Sequence, residues 1–250
     1  MAQTAVQLYS LREMAQPLPT VLETVAETSF DGVEFAHRVR DSDIEAVAAA
    51  IERTGLDVAG AHVGLDALED DCEAVLTTYE RLGCRRLVVP FLDETHFESS
   101  AAVDETARRL SELADTLADH GFSLHYHNHA HEFVDLGDRT AMTALLERTD
   151  ETLGFELDLG WASAAGVDPV ALIERYGDRI SLVHVADVDE ATQSSVELGD
   201  GDLDLESCLA AARAADIDWY VYEHDEPTDP FASLEHGART LETRRERWST

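Results

Sequence analysis

The nine residues from His125 to Phe133 read H-Y-H-N-H-A-H-E-F, placing four histidines, an asparagine and a glutamate at the end of an otherwise apolar run. Imidazole and carboxylate groups bind metals and carry protons, and a soluble domain gains no packing from burying so many of them. The segment reads as the floor or wall of a site. Further along the chain stand Asp158 with Trp161, His184 with Asp187, and the run Glu223, His224, Asp225. Carboxylates and imidazoles converging from neighbouring segments form an oxygen and nitrogen donor set. Such a set suits one divalent ion such as Mn²⁺, Co²⁺, Mg²⁺ or Zn²⁺. Single polar residues at strand ends often do no more than hydrogen-bond a loop, whereas groups of this kind on four consecutive strands point to a metal site.

These groups need elements to hold them. Strand-like runs fall at Ala5–Tyr9, Gly32–Ala36, Val58–Val63, Leu87–Phe91, Ser123–His127, Gly154–Leu159, Ile180–Val185 and Tyr220–Glu223. Amphipathic stretches such as Ser42–Arg53, Ala101–His120, Pro169–Tyr176 and Leu205–Ala215 alternate with them. Asp168-Pro169 reads as an N-cap followed by proline in the first turn, and Asp41 or Ser42 as a cap for the second helix. Gly55, Gly83 and Gly121 fall where helices should stop. Eight strand and helix pairs with no dividing linker predict a single (β/α)₈ TIM barrel over residues 1–250. No G-x-G-x-x-G follows the first strand, which argues against an open doubly wound sheet. In such a barrel the site forms at the C-terminal strand ends. Those ends carry Tyr9 to Arg12, Glu34 and His37, His62, Pro90 and Phe91, and then the donor groups of strands five to eight.

The charge is extreme: 52 acids face 18 bases, every base is arginine, and the formal net is −34. The acids are dispersed, which fits a surface adapted to a high-salt solvent better than a dedicated basic partner. Nucleic acid is an unsuitable partner for such a chain. No run approaches the ~20 apolar residues of a membrane span, and the first residues form a strand-like pattern instead of a signal peptide. Cys72, Cys84 and Cys208 are odd in number and far apart, which suits a reducing cytoplasm. Homo-oligomerisation is compatible with the sequence.

The stretches L-H-Y-H-N-H-A-H-E-F, F-E-L-D-L-G-W-A-S-A-A-G-V-D-P, R-I-S-L-V-H-V-A-D and Y-V-Y-E-H-D resemble the xylose-isomerase-like TIM-barrel superfamily of sugar isomerases and epimerases, in particular its inosose-dehydratase-like branch. The resemblance covers essentially the whole chain. It implies a metal set of Glu, Asp, His and Glu from strands five to eight, which falls on Glu132, Asp158, His184 and Glu223. Strand spacing complicates the first of these. His125, His127, His129 and His131 share one parity and Glu132 has the other, and the four histidines would span about 20 Å if extended. Glu132 joins the ligands only if the strand ends near Asn128 and the chain turns back; otherwise His127 or His129 is the strand-five ligand. His125 and His131 are expected to support the site through hydrogen bonds. Ala186 stands where relatives often carry lysine.

The implied reaction is removal of a proton next to a carbonyl of a sugar or polyol, with the ion stabilising an enediolate and Glu132 and Glu223 acting as the proton-transfer pair. His62, His127, Asn128, Trp161, Asp187 and Arg12 are the candidates for holding substrate. The expected function is a metal-dependent sugar isomerase or epimerase. The alternative is a dehydratase that eliminates water from a keto-polyol. An AP endonuclease, which needs a basic groove, and a non-catalytic sugar-binding barrel are weaker readings. Leu198–Asp202, with two glycines, reads as a substrate lid or as an acidic turn.

Overall fold

The eight apolar runs pair in sequence order and close on themselves. A computed structural model describes residues 2–248. It contains β1 (Gln3–Gln7), β2 (Gly32–Phe35), β3 (Asp57–His62), β4 (Arg86–Val89), β5 (Ser123–His127), β6 (Leu153–Asp158) and β7 (Ile180–Val185). A short antiparallel hairpin, β8 (Asp187–Asp189) and β9 (Ser194–Val196), precedes the last barrel strand, β10 (Trp219–Tyr222). The barrel order is β1-β10-β7-β6-β5-β4-β3-β2, and its neighbouring strands are all parallel. The expected single TIM barrel is the observed fold.

The helices lie where the amphipathic stretches placed them. Asp168 caps Pro169–Tyr176 by accepting from Val170 N at 2.9 Å. The cap of Ile44–Thr54 is Asp43, which accepts from Glu45 N and Ala46 N at 3.1 and 3.3 Å; Asp41 and Ser42 precede it in the turn. Gly55, Gly83 and Gly121 carry φ of 73°, 74° and 75°, the left-handed conformation that ends a helix. The hairpin was not foreseen, because its strands of three residues each are too short to show a period.

Strand parity divides the interior into layers. Ala5, Ala59, Leu182, Trp219 and Val221 form a separate apolar cluster inside the barrel. Two residues further along their strands, Gln7, His184 and Glu223 follow Ala5, Leu182 and Val221 on the same face. The apolar plug therefore gives way to a polar layer towards the C-terminal strand ends. Outside the barrel wall, the helix faces and residues such as Val6, Phe35, Tyr126, Phe155 and Tyr222 make up the main core. Cys84 and Cys208 are buried, and burial pushes both thiols up to about 12; Cys72 is partly exposed. One fast-reacting thiol per native chain is therefore expected with a disulfide reagent at pH 8, and three after denaturation. Fast titration of more than one would show that the barrel wall opens.

Candidate metal centre

Four side chains from consecutive strands ring a gap at the top of the polar layer. One ligand atom each from His127, Asp158, His184 and Glu223 lies within 4.8 Å of the others. His184 Nδ1 is 2.7 Å from Glu223 Oε2 and 3.9 Å from Asp158 Oδ2. Asp158 ends β6 and caps the following helix, Oδ1 accepting from Trp161 N at 2.6 Å. Its other oxygen, Oδ2, is buried without a hydrogen-bond partner. Burial holds this carboxyl well above the usual range, and the charge of Glu223 adds to the effect. A cation in the gap would give Oδ2 a partner and remove the penalty on the charged form. The donor set fits a divalent ion.

Below this gap lies a second convergence of a different kind. Glu156 Oε2 is 2.7 Å from His62 Nε2, 3.0 Å from His127 Nδ1 and 3.1 Å from His184 Nε2. Here three imidazole nitrogens surround an oxygen, so the centre is already filled. Glu34, on β2, reaches the same place, with Oε2 2.7 Å from His184 Nε2 and accepting from Gln7 Nε2 at 2.8 Å. Glu34 is pushed up to about 7 by burial and by the charge of Glu156. Burial opposes ionisation of Glu156 too, but His184, His62 and His127 hold its carboxyl well below the ordinary range. Burial lowers His127 to about 4 and His129 to about 3, leaving both imidazoles neutral near pH 7.

The upper group opens into a cavity of about 680 Å³ lined by Arg12, His62, His127, His129, Trp161 and Glu223 among others. The turn of the β8–β9 hairpin supplies Gln193, Ser194 and Ser195 to the same cavity, and Gln193 Nε2 donates to Ala164 O at 2.8 Å. Trp161 packs near His129 with ring centroids 5.9 Å apart, giving the cavity an aromatic wall. Arg12 lies over the Tyr9 ring at 4.1 Å and donates to Tyr9 O, which fixes its guanidinium at the rim. Asp225, also in the lining, is pushed up to about 7 by burial and by Glu223.

The model of the family described as xylose isomerase-like TIM barrel matches residues 22–244. The chain belongs to that family. Within it, the chain is 31% identical over 191 residues to an inosose dehydratase of Geobacillus kaustophilus, an alignment covering 67% of this chain and 61% of the relative. It thus spans less than two thirds of that relative's length. A sugar phosphate isomerase/epimerase from Parabacteroides distasonis superposes with a TM-score of 0.82 at 20% identity, covering 96% of this chain and 98% of that one. A probable 3-DHS dehydratase from Bacillus anthracis gives 0.77 at 14% identity, covering 96% and 98%.

In this xylose isomerase-like barrel, the structure brings together three of the four expected ligands, Asp158, His184 and Glu223. The group from strand five is His127, not Glu132. The chain does turn back after β5, through a 3₁₀ turn at His131–Phe133, but the turn aims Glu132 away from the barrel axis. Glu132 Oε1 accepts from the Tyr126 hydroxyl at 2.7 Å and Oε2 from His129 N at 2.9 Å. Tyr126 has the opposite strand parity to His125 and His127 and belongs to the outer core. Asn128 is fully buried and clamps Asp158: its Oδ1 accepts from Asp158 N at 3.0 Å and its Nδ2 donates to Asp158 O at 3.3 Å. His125 bonds Ser181 and His131 bonds Leu92 O, so both support the surrounding structure. His62, His127, Trp161 and Arg12 do line the cavity.

Asp187, expected to hold substrate, is instead buried under its own loop. Its two oxygens accept from Val188 N, Leu203 N, Gly199 N and Gly201 N at 3.0, 3.2, 2.8 and 3.2 Å. The glycines of Leu198–Asp202 serve this clasp, since a Cβ on Gly201 would collide with Asp187 Oδ1. The loop facing the cavity is the hairpin turn, not Leu198–Asp202. Asp187→Asn turns an acceptor into a donor facing buried N–H groups and is expected to cost about 3 kcal/mol. Melting temperature and the rate of limited proteolysis within residues 190–203 check this. An unchanged cleavage rate would dissociate Asp187 from loop order.

Sequence reading passed over Glu156 and Glu34 as site residues. The signal for Glu156 was available: it lies two residues before Asp158 in one strand and so faces the same way.

Proposed function

We propose that this chain is a divalent-metal-dependent enzyme that removes the proton beside a carbonyl of a ketose or keto-polyol and then expels water. The observation that carries the reading is the gap ringed by His127, Asp158, His184 and Glu223 at the floor of the cavity. A divalent ion held there supplies Lewis acidity toward a carbonyl oxygen. Glu223, reaching the cavity from the end of β10, is the carboxylate placed to take the proton. His62 lines the same cavity with Nε2 against Glu156 at 2.7 Å, a fixed imidazole able to hold a leaving hydroxyl. Trp161 gives the C–H face of a ring an apolar wall, and the hairpin turn limits the access of water.

Epimerisation needs a second base on the opposite face of the reacting carbon. Glu132, expected in that role, is bonded to Tyr126 and His129 N instead. Elimination needs only one base and a way out for hydroxide, and the inosose dehydratase relative supports that choice. An endonuclease needs a basic groove, whereas Asp225 and Glu226 line this cavity in a chain of net charge −34. The test is to incubate Mn²⁺-loaded and chelator-treated protein with inososes and ketoses. Ion-dependent growth of ultraviolet absorption from a conjugated enone is expected. A new sugar epimer without such absorption would return the reading to an epimerase, and no turnover with any ion would leave a binding barrel.

A further inference from the structure

We propose that Glu156 and Glu34 are positioning residues: carboxylates buried beneath the candidate ion site that fix which nitrogen of His127 and His184 faces it. The inference rests on reading His127, Asp158, His184 and Glu223 as that site. A neutral imidazole carries one N–H, and the nitrogen that donates leaves its lone pair on the other. His127 Nδ1 is 3.0 Å from Glu156 Oε2, so its donor nitrogen is spent below and Nε2 keeps the lone pair. His184 Nε2 is 2.7 Å from Glu34 Oε2 and 3.1 Å from Glu156 Oε2, which leaves Nδ1, the nitrogen nearest Glu223 and Asp158, as its ligand atom. Both rings are thus set by a carboxylate on one side and open to the ion on the other. A carboxylate accepting from a ligating imidazole also strengthens it as a donor.

The two carboxylates are themselves held. Gln7 Nε2 donates to Glu34, and Gln7 Oε1 accepts from Tyr9 N at 3.0 Å, tying Glu34 to the backbone that follows β1. His62 Nε2 lies against Glu156 at 2.7 Å. Glu34 and Glu156 are both fully buried, and one oxygen of each has no hydrogen-bond partner. Stability does not account for them, since apolar residues of like volume usually stabilise a core as well or better. Their oxygens point at three imidazoles, two of which belong to the ligand set.

The test measures Mn²⁺ binding by titration calorimetry and the visible spectrum of the Co²⁺ form. Full-length wild type is compared with Glu34→Gln, Glu156→Gln and Glu156→Leu. Wild type is expected to bind one Mn²⁺ per chain. Each glutamine variant, which keeps an acceptor oxygen but loses the charge, should bind about 10-fold more weakly, and Glu156→Leu about 100-fold. The Co²⁺ spectrum should shift in all three, while the melting temperature of the ion-free protein holds or rises in Glu156→Leu. Variants that fold and bind Mn²⁺ within twofold of wild type would overturn the inference. So would two ions per wild-type chain with one lost in Glu156→Gln, which would make Glu156 a ligand. Wild type that binds no ion would instead overturn the ion-site reading itself.

Discussion

Asp158→Asn is expected to remove tight divalent-ion binding while leaving the ion-free protein about as stable as wild type. The two halves of this result come from the two oxygens of one side chain. Oδ1 caps a helix by accepting from Trp161 N, and an asparagine oxygen can do the same. Oδ2 is buried without a partner, so in the ion-free protein it contributes a penalty and no bond. Removing that charge costs the ion-free fold little. The ion, however, loses one of its two anionic donors, the other being Glu223. At an ion concentration 100 times its Kd, wild type should gain about 2.7 kcal/mol. That is a rise in melting temperature of about 5–10 °C for a domain of this size. The variant should show almost none of this rise, and elemental analysis after loading and dialysis should find it nearly empty. Two imidazoles in the set favour Mn²⁺, Co²⁺ or Zn²⁺ over Mg²⁺, which should give the smallest shift. Equal ion content in the two proteins, or equal shifts, would remove Asp158 from the site.

What could be read from the sequence followed from strand periodicity. Alternating runs and helix signals gave the closed barrel, and Asp158, His184 and Glu223 were legible because each falls at or near the end of a clear strand. Glu132 was not, because periodicity describes a strand and says nothing of the turn after it. The chain leaves β5 at His127, and a 3₁₀ turn decides whether Glu132 points at the axis or at Tyr126. Asp187 was misplaced for a similar reason. It begins a hairpin too short to show a period, and its role appears only when Gly199, Gly201 and Leu203 fold back onto it. Glu156 escaped notice because attention to strand ends skips the middle of a strand. There, an ionised side chain among apolar neighbours is itself the anomaly.

The dispersed acid excess yields the other large expected effect: the melting temperature should rise by about 10–20 °C between 0.05 M and 1 M KCl. Arginine–carboxylate pairs such as Arg81 with Glu45, Arg108 with Glu105 and Arg239 with Glu235 are attractive and weaken in salt. They are exposed and few, because the chain has 18 arginines to offer. Repulsion involves every remaining pair among the carboxylates of a chain of net charge −34. Two like charges 10 Å apart in water repel by about 0.4 kcal/mol, a small figure that accumulates over many neighbours. Folding concentrates those charges on a compact surface, so the native state bears more of the repulsion than the unfolded chain. Screening shortens the interaction length from about 10 Å at 0.1 M to about 3 Å at 1 M, which removes most of the repulsion. Several kcal/mol regained corresponds to the stated rise at about 2–4 °C per kcal/mol. If screening is the cause, NaCl and KCl should act alike and the gain should level off near 1 M. A continued rise above that concentration would point to hydration of the acidic surface or exclusion of salt from it. A melting temperature that falls with salt would mean that the arginine pairs outweigh the acid excess.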